Sequence, residues 1–260
     1  MTPDPPSKTD PPSKTILISG ASGGVGRGIA VACGEAGWTV WLAARRRPEG
    51  DAVAAEVDRA GGTGRFVACD VADADSVQAA VDTVIEESGR LDGLVHNATS
   101  GYSSIPRSIG DVDLDEIEDQ VAVNLRGLYL LGTAAFEQLR LAGGSVVVLT
   151  SESGFEGKPL LPAYAVAKAA QRGIVRVLAR EWGSSGIRVN CVAPLSSSPA
   201  MDRYFEDPVN KARVLGRIPL GRLGDPHADI GPAVRFLLSD DARFVTGQTV
   251  MIDGGSCPIT

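Results

Sequence analysis

Cysteine, histidine and positive charge are all in short supply in this 260-residue chain, and each shortage removes a class of function. The four cysteines, Cys33, Cys69, Cys191 and Cys257, form no C-x-x-C pair. Cys69 and Cys191 close apolar runs, where a thiol serves as a small buried hydrophobe. The pattern excludes a disulfide framework and suits a reduced, cytoplasmic protein. With two histidines, His96 and His227, a histidine-rich metal site is excluded and no metal is expected. Lysine and arginine total 25 against 32 acidic residues, a formal net charge of −7, which argues against binding a nucleic-acid backbone. No apolar run approaches the roughly 18 residues of a spanning helix, so no membrane role is expected. The N-terminus also lacks the apolar core of a secretory signal.

Hydrophobic residues at 43% and charged residues at 22% give a globular balance, and the length suits a single α/β domain. Residues 1–14 stand apart. Asp4-Pro-Pro-Ser-Lys-Thr9 is repeated at once as Asp10-Pro-Pro-Ser-Lys-Thr15, polar proline-rich text that buries nothing and predicts an extended, mobile tail. From Thr15 to the end at 260, short apolar runs alternate with helical stretches. Strands are expected at 15–19, 39–44, 65–69, 91–96, 145–150, 187–192 and 249–252. Helices are expected at 24–36, 51–60, 73–88, 115–141, 162–184 and 226–238. Strands that read as continuous apolar runs suit a sheet covered on both faces. The alternation predicts a Rossmann-type, doubly wound parallel sheet with helices on both faces and right-handed crossovers.

The first strand runs into Gly20-Ala-Ser22-Gly-Gly24-Val25-Gly26 and then directly into a helix. Glycines there permit a tight turn and let a pyrophosphate approach the positive helix end, which predicts a dinucleotide site. The second strand ends in Arg45-Arg46-Arg47, where many such domains place an acid to hold the adenosine ribose. Guanidinium groups grip a 2′-phosphate that an acid would repel. NADP(H) is therefore favoured over NAD(H), with Arg45 as the main contact and Arg46 beside it.

Tyr164 and Lys168 lie four apart at the start of a helix, so phenol and ammonium share a face. Hydride delivery to a carbonyl builds negative charge on oxygen that must be protonated. A phenol of pKa near 10 needs electrostatic help to do this reversibly near neutrality. Lys168 supplies such help. Ser151, just past the fifth strand, is placed to polarise the substrate oxygen, and Asn124 to hold a relay water.

Gly20-xxx-Gly24-x-Gly26, Asp70, Asn97-Ala98, Asn124, Ser151 and Tyr164-xxx-Lys168 together resemble the short-chain dehydrogenase/reductase family. The likeness runs from about Thr15 to Gly255. The C-terminal text from Ile218 to Gly255 is similar to the 3-oxoacyl-[acyl-carrier-protein] reductase branch. The resemblance implies a catalytic tetrad of Asn124, Ser151, Tyr164 and Lys168, with Tyr164 and Lys168 also holding cofactor. It places Asp70 and Val71 at the adenine, Asn97 and Ala98 at the ribose region and Pro194 at the nicotinamide. It also implies a homotetramer, with the long helices at 115–141 and 162–184 at one interface, and a carbonyl or acyl-thioester substrate. His96, Thr99 and Leu195 depart from the family's usual residues. His96 is expected to be a strand-end histidine bonded locally.

Residues 195–215 read as a substrate lid over the sheet's carboxyl edge. Met201, Tyr204 and Phe205 either line an apolar pocket or pack as the lid's own core. Ser153, Phe155 and Leu160, between Ser151 and Tyr164, are better placed to touch substrate. Glu152 is a possible selector of a polar or cationic group. An extended-type sugar epimerase would need a longer substrate domain than this chain offers, and two further readings make their own demands. A cofactor-binding sensor or scaffold without turnover would not need Tyr164 and Lys168 in register. A serine hydrolase would need G-x-S-x-G, whereas Val-Leu-Thr precedes Ser151.

Overall fold

The computed structural model describes residues 13–257. The tail expected at 1–14 lies almost wholly outside them. Its last two residues are tied down, Ser13 donating to the Gly37 carbonyl at 2.6 Å and Lys14 pairing with Asp240 at 2.8 Å. The first strand, β1, spans Thr15–Ser19 and is buried at every position, as its uninterrupted apolar text requires. The others are β2 (Thr39–Ala44), β3 (Thr63–Ala68), β4 (Gly93–His96), β5 (Ser145–Leu149), β6 (Arg188–Pro194) and β7 (Thr249–Ile252). All seven pair in parallel, in the order β3-β2-β1-β4-β5-β6-β7. The order reverses between β1 and β4, and this switch point opens a crevice beyond the strands' carboxyl ends.

The helices, in chain order, are α1 (Gly24–Gly34), α2 (Arg47–Arg59), α3 (Ala74–Ser88), α4 (Leu114–Val121) and α5 (Gly127–Ala142). They continue as α6 (Ser153–Glu156), α7 (Pro162–Trp182), α8 (Pro199–Tyr204), α9 (Pro208–Leu215) and α10 (Gly231–Leu238). Two apolar layers result. Leu17, Leu94, Val146, Leu128 and Leu131 belong to one, and Ile16, Ile18, Val95, Val147 and Ile29 to the other. Alternate residues of each strand feed opposite layers, as the pleat dictates.

α3 shows how sequence sets an element. Asp73 caps it by accepting from the Ser76 N–H at 2.7 Å, and Gly89 ends it in the left-handed conformation at φ 69°. Val77, Ala80, Val81 and Val84 make the buried stripe between. Replacing Asp73 by alanine would cost the helix about 1 kcal/mol.

Most elements end within two residues of the sequence expectations, and three depart further or in kind. α2 begins at Arg47 rather than Asp51, because Pro48 fits a first helical turn. β3 is an edge strand with alternating exposure, not a doubly covered run. The helix expected over 115–141 is interrupted by a π-turn at Ala122–Arg126, centred on Asn124. A second π-turn, Pro226–Ile230, begins the helix expected at 226–238, and His227 within it pairs with Glu35 at 2.9 Å.

Candidate active site

Two stretches of backbone build the crevice floor. Gly20 leaves β1 at φ +67°, and a Cβ there would lie 2.7 Å from the Ala98 Cα. A Cβ on Gly26 would meet the Asn97 Nδ2 at 2.5 Å and the Gly20 carbonyl at 2.7 Å. Asn97 earns that closeness by donating its amide to the Gly20 carbonyl at 2.9 Å, which ties the β1 and β4 loops together. Above them lies a cleft of about 430 Å³. Gly20, Ser22, Gly24, Val25, Arg45 and Arg46 line one wall, and Asp70, Val71, Asn97 and Ala98 the other. Gly26 lies just behind, and its lack of a side chain keeps the loop close. Ten of the expected cofactor contacts therefore share one cavity. Thr99, one of the departures from the family pattern, lines it too, as do Gly101, Asp119 and Val123, which the sequence does not single out.

The three arginines do not act alike. Arg46 pairs with Glu49 at 3.1 Å. Arg47 lies 4.6 Å above the Phe66 ring and 3.7 Å from Asp51. Arg45, exposed on the cleft wall, is paired with no carboxylate among the described residues.

Three of the tetrad candidates, Ser151, Tyr164 and Lys168, meet at the carboxyl end of β5, and Asn124 is joined to them through Gln171. Ser151 follows Thr150 and hydrogen-bonds the Ser153 hydroxyl at 3.2 Å. Burial raises the Tyr164 phenol above its ordinary value; the neighbouring Ser151 hydroxyl works against the rise and the charge of Glu152 adds to it. The Lys168 ammonium stands 5.6 Å from the Tyr164 ring centre and is buried. It donates to the Leu149 carbonyl at 2.7 Å and to the Gln171 Oε1 at 3.1 Å. Burial lowers its pKa to about 7, with Cys191 in opposition. Asn124 is fully buried, its amide donating to the Gln120 Oε1 at 2.8 Å and its own oxygen accepting from the Thr99 hydroxyl at 3.2 Å. The departure at Thr99 thus gives Asn124 a partner that a glycine would not.

His96 is bonded locally, as expected. The Ser19 hydroxyl accepts from the Asn97 and Ala98 N–H groups at 3.1 and 3.2 Å, so its own proton goes to the His96 Nδ1 at 3.2 Å. The other ring nitrogen then carries the proton and faces the Val123–Asn124 backbone without reaching hydrogen-bond geometry. Burial, then the Lys168 charge, lowers the imidazole to about 3, so it is neutral in ordinary conditions.

The substrate-side expectations fare unevenly. Ser153 is buried behind Ser151, and the Arg172 guanidinium covers one face of the Phe155 ring at 3.2 Å. Ser153 presents no open surface to a substrate, and Phe155, half-buried, keeps only the other face of its ring free of Arg172. Leu160, half exposed at φ 64°, stands at the rim of a water-sized cavity beside Tyr164. Residues 195–215 form α8 and α9, with Tyr204 turned outward and held by Arg213. Glu152 is buried, bonded by the Ser256 hydroxyl at 3.3 Å and 3.8 Å from the Lys158 ammonium. Pro194 ends β6, and Leu195 is packed beneath it with its N–H on the Ile252 carbonyl at 3.0 Å. Among the described residues no cluster of ligands suits a metal, and no helix is long and apolar enough to cross a membrane.

The chain is similar to known proteins over nearly its whole length. The family model described as enoyl-(acyl carrier protein) reductase matches residues 20–257. The 3-oxoacyl-[acyl-carrier-protein] reductase FabG of Staphylococcus aureus is 35% identical over 245 residues, 94% of this chain and 98% of that one. A 3-ketoacyl-(acyl-carrier-protein) reductase from Brucella melitensis, solved with NADH, superposes with a TM-score of 0.84 at 28% identity, covering 94% of this chain and 98% of that one. A gluconate 5-dehydrogenase from Burkholderia cenocepacia, solved with NADP and tartrate, gives 0.88 at 26% identity, with 95% and 96% covered.

Proposed function

The chain belongs to the short-chain dehydrogenase/reductase family, and from that premise we propose that it is an NADP(H)-dependent oxidoreductase acting on a carbonyl or secondary alcohol. The observation that carries the reading is the junction of two halves. A glycine-floored cleft with Arg45 on its wall lies over the ends of β1, β2 and β4; β4 pairs with β5, at whose end Ser151, Tyr164 and Lys168 stand, and Thr99 on the cleft wall bonds Asn124 at 3.2 Å. The glycines fit a dinucleotide, since a Cβ at Gly20 or Gly26 would collide with the loop behind it.

In this reading Ser22, Gly24 and Val25 take the pyrophosphate at the N-terminus of α1, Arg45 and Arg46 the 2′-phosphate, and Asp70 and Val71 the adenine. Asn97, Ala98, Tyr164, Lys168 and Pro194 take the ribose and nicotinamide half. A bound nicotinamide dinucleotide supplies the hydride. Ser151 orients and polarises the substrate oxygen, and Tyr164 gives it a proton as negative charge develops. Lys168 holds positive charge near the phenol, which burial alone would keep protonated. Asn124 fixes the turn on which the buried end of the site rests.

Similarity to the Staphylococcus aureus reductase makes a 3-oxoacyl thioester the first substrate class to try. Exposed Tyr129 and Leu141 on α5, with Val166 and Val177 on α7, support a homotetramer assembled through these helices. Oxidation of NADPH and NADH, followed against a carbonyl panel that includes a 3-oxoacyl thioester, tests the proposal. Turnover with NADPH strongly preferred supports it. Tight NADPH binding with no turnover on any carbonyl would favour a cofactor-sensing role.

A further inference from the structure

Gln171 lies one turn beyond Lys168 on the same face of α7 and is completely buried. A primary amide removed from water must place its donors and its acceptor on protein groups. This one places them on two members of the site. Its Nε2 donates to the main-chain carbonyl of Asn124 at 3.0 Å, and its Oε1 accepts from the Lys168 ammonium at 3.1 Å. The orientation is forced. An ammonium has only donors and a carbonyl only acceptors, so a flipped amide would oppose like groups at both ends.

The position of each partner makes the contact consequential. Asn124 sits in the π-turn, where the Gly127 N–H reaches back to the Ala122 carbonyl and the ordinary helical ladder is broken. Lys168 has been taken out of water with no counter-charge. The titratable groups that face it are Tyr164 on its own helix, His96 on β4 and Cys191 on β6. His96 is neutral, burial pushes the Cys191 thiol up to about 12, and the Tyr164 phenol is raised. At neutral pH none of them carries negative charge. Among the described residues, the ammonium is therefore stabilised by two neutral oxygens, the Leu149 carbonyl and the Gln171 Oε1. Leu149 contributes main chain that no substitution removes. Gln171 is the one side chain in this role.

We propose that Gln171 is a positioning residue of the hydride-transfer site: its amide bridges the Asn124 turn to Lys168 and helps to keep the ammonium protonated. The role rests on the reading of Lys168 as the charged partner of Tyr164. Loss of the Oε1 acceptor favours neutral Lys168 and weakens its hold on the phenol, whereas a carboxylate at the same place favours the charged form.

The chain has only five lysines, Lys8, Lys14, Lys158, Lys168 and Lys211, so the charge state can be read directly. The cofactor-free full-length protein is labelled with 13Cε-lysine and titrated by NMR, with Lys168→Arg assigning the Lys168 signal. Gln171→Met keeps the length of the side chain and removes the acceptor; Gln171→Glu keeps an acceptor and adds charge. The expected result is a Lys168 midpoint moved down by about one pH unit in Gln171→Met and up by about one in Gln171→Glu. In turnover, Gln171→Met should lower kcat and leave KM for the carbonyl nearly unchanged. A glutamine that merely fills space would reduce thermal stability without moving the midpoint. A folded Gln171→Met whose Lys168 midpoint coincides with that of the parent chain would overturn the proposal, whatever Gln171→Glu shows. Should Gln171→Met not fold, Gln171→Asn, which draws the acceptor back from the ammonium, takes its place and should likewise move the midpoint down. The titration needs neither cofactor nor substrate, so its failure is distinct from that of the reductase reading, which a panel without turnover would show.

Discussion

Replacing Arg45 by alanine should weaken NADPH binding about tenfold and leave NADH binding within about twofold. Of the three consecutive arginines, Arg46 is held by Glu49 at 3.1 Å and Arg47 lies over Phe66 at 4.6 Å. Arg45 alone meets the cleft without a carboxylate partner among the described residues. A hydrogen bond to a charged group contributes about 1.5–3 kcal/mol, and solvent exposure puts Arg45 at the low end. At about 1.4 kcal/mol per decade, that is about tenfold in Kd. NADH lacks the 2′-phosphate and has nothing there to lose. The assay is titration of the cofactor's own fluorescence with parent and variant chains. Raising salt should narrow the gap between them, because an exposed phosphate contact is screened. Equal weakening of both cofactors, or an unaffected NADPH affinity, would refute the assignment of Arg45 to the phosphate. Arg46→Ala should have a smaller effect, since that guanidinium is already engaged.

Two further perturbations follow from the same geometry. His96 is lowered to about 3 in the folded chain against an ordinary value near 6.5, so the unfolded chain binds more protons between those limits. Its contribution to stability is complete above about pH 6.5 and is lost as the pH falls toward 3. His96→Asn should flatten this acid slope by a few kcal/mol in denaturant unfolding at pH 7 and pH 4; an unchanged slope would show that the histidine is not held neutral. Gly26→Ala forces a methyl to within 2.5 Å of the Asn97 amide and 2.7 Å of the Gly20 carbonyl. Overpacking of this kind costs about 1–3 kcal/mol, and with the loop displaced NADPH affinity should drop at least about tenfold. Unchanged affinity would mean that this loop does not cradle the cofactor.

The sheet was legible because its inner strands are uninterrupted apolar text: Ile16-Leu17-Ile18 and Val146-Val147-Val148 admit little else. The cleft was legible because only a glycine-rich turn between strand and helix combines tightness with open backbone. Tyr164 and Lys168 were legible as a pair because helical spacing sets them on one face. The π-turn at Asn124 was not. Ala-Val-Asn-Leu-Arg is ordinary helical sequence, and the turn's partners, Thr99 and Gln171, come from distant segments. Gln171 did leave a trace in the sequence, as a polar residue three places after Lys168 on a face that continues with Val175 and Leu178. Arg45, Arg46 and Arg47 could not be told apart from sequence, since Glu49, Asp51 and Phe66 choose between them only in three dimensions. Phe155 read as an open apolar side chain because nothing in its neighbourhood announces Arg172, a full turn past Lys168 and folded back over the ring.

The central claim is that Tyr164 supplies the proton in hydride transfer, and Tyr164→Phe tests it most directly. The substitution removes one hydroxyl and leaves the cleft lining of Gly20, Arg45 and Asp70 untouched. With the best substrate from the carbonyl panel, kcat should fall by about 10²–10⁴ while the Kd for NADPH stays within about twofold, since the phenol acts mainly in the transition state. Turnover within a few-fold of the parent chain would contradict the account.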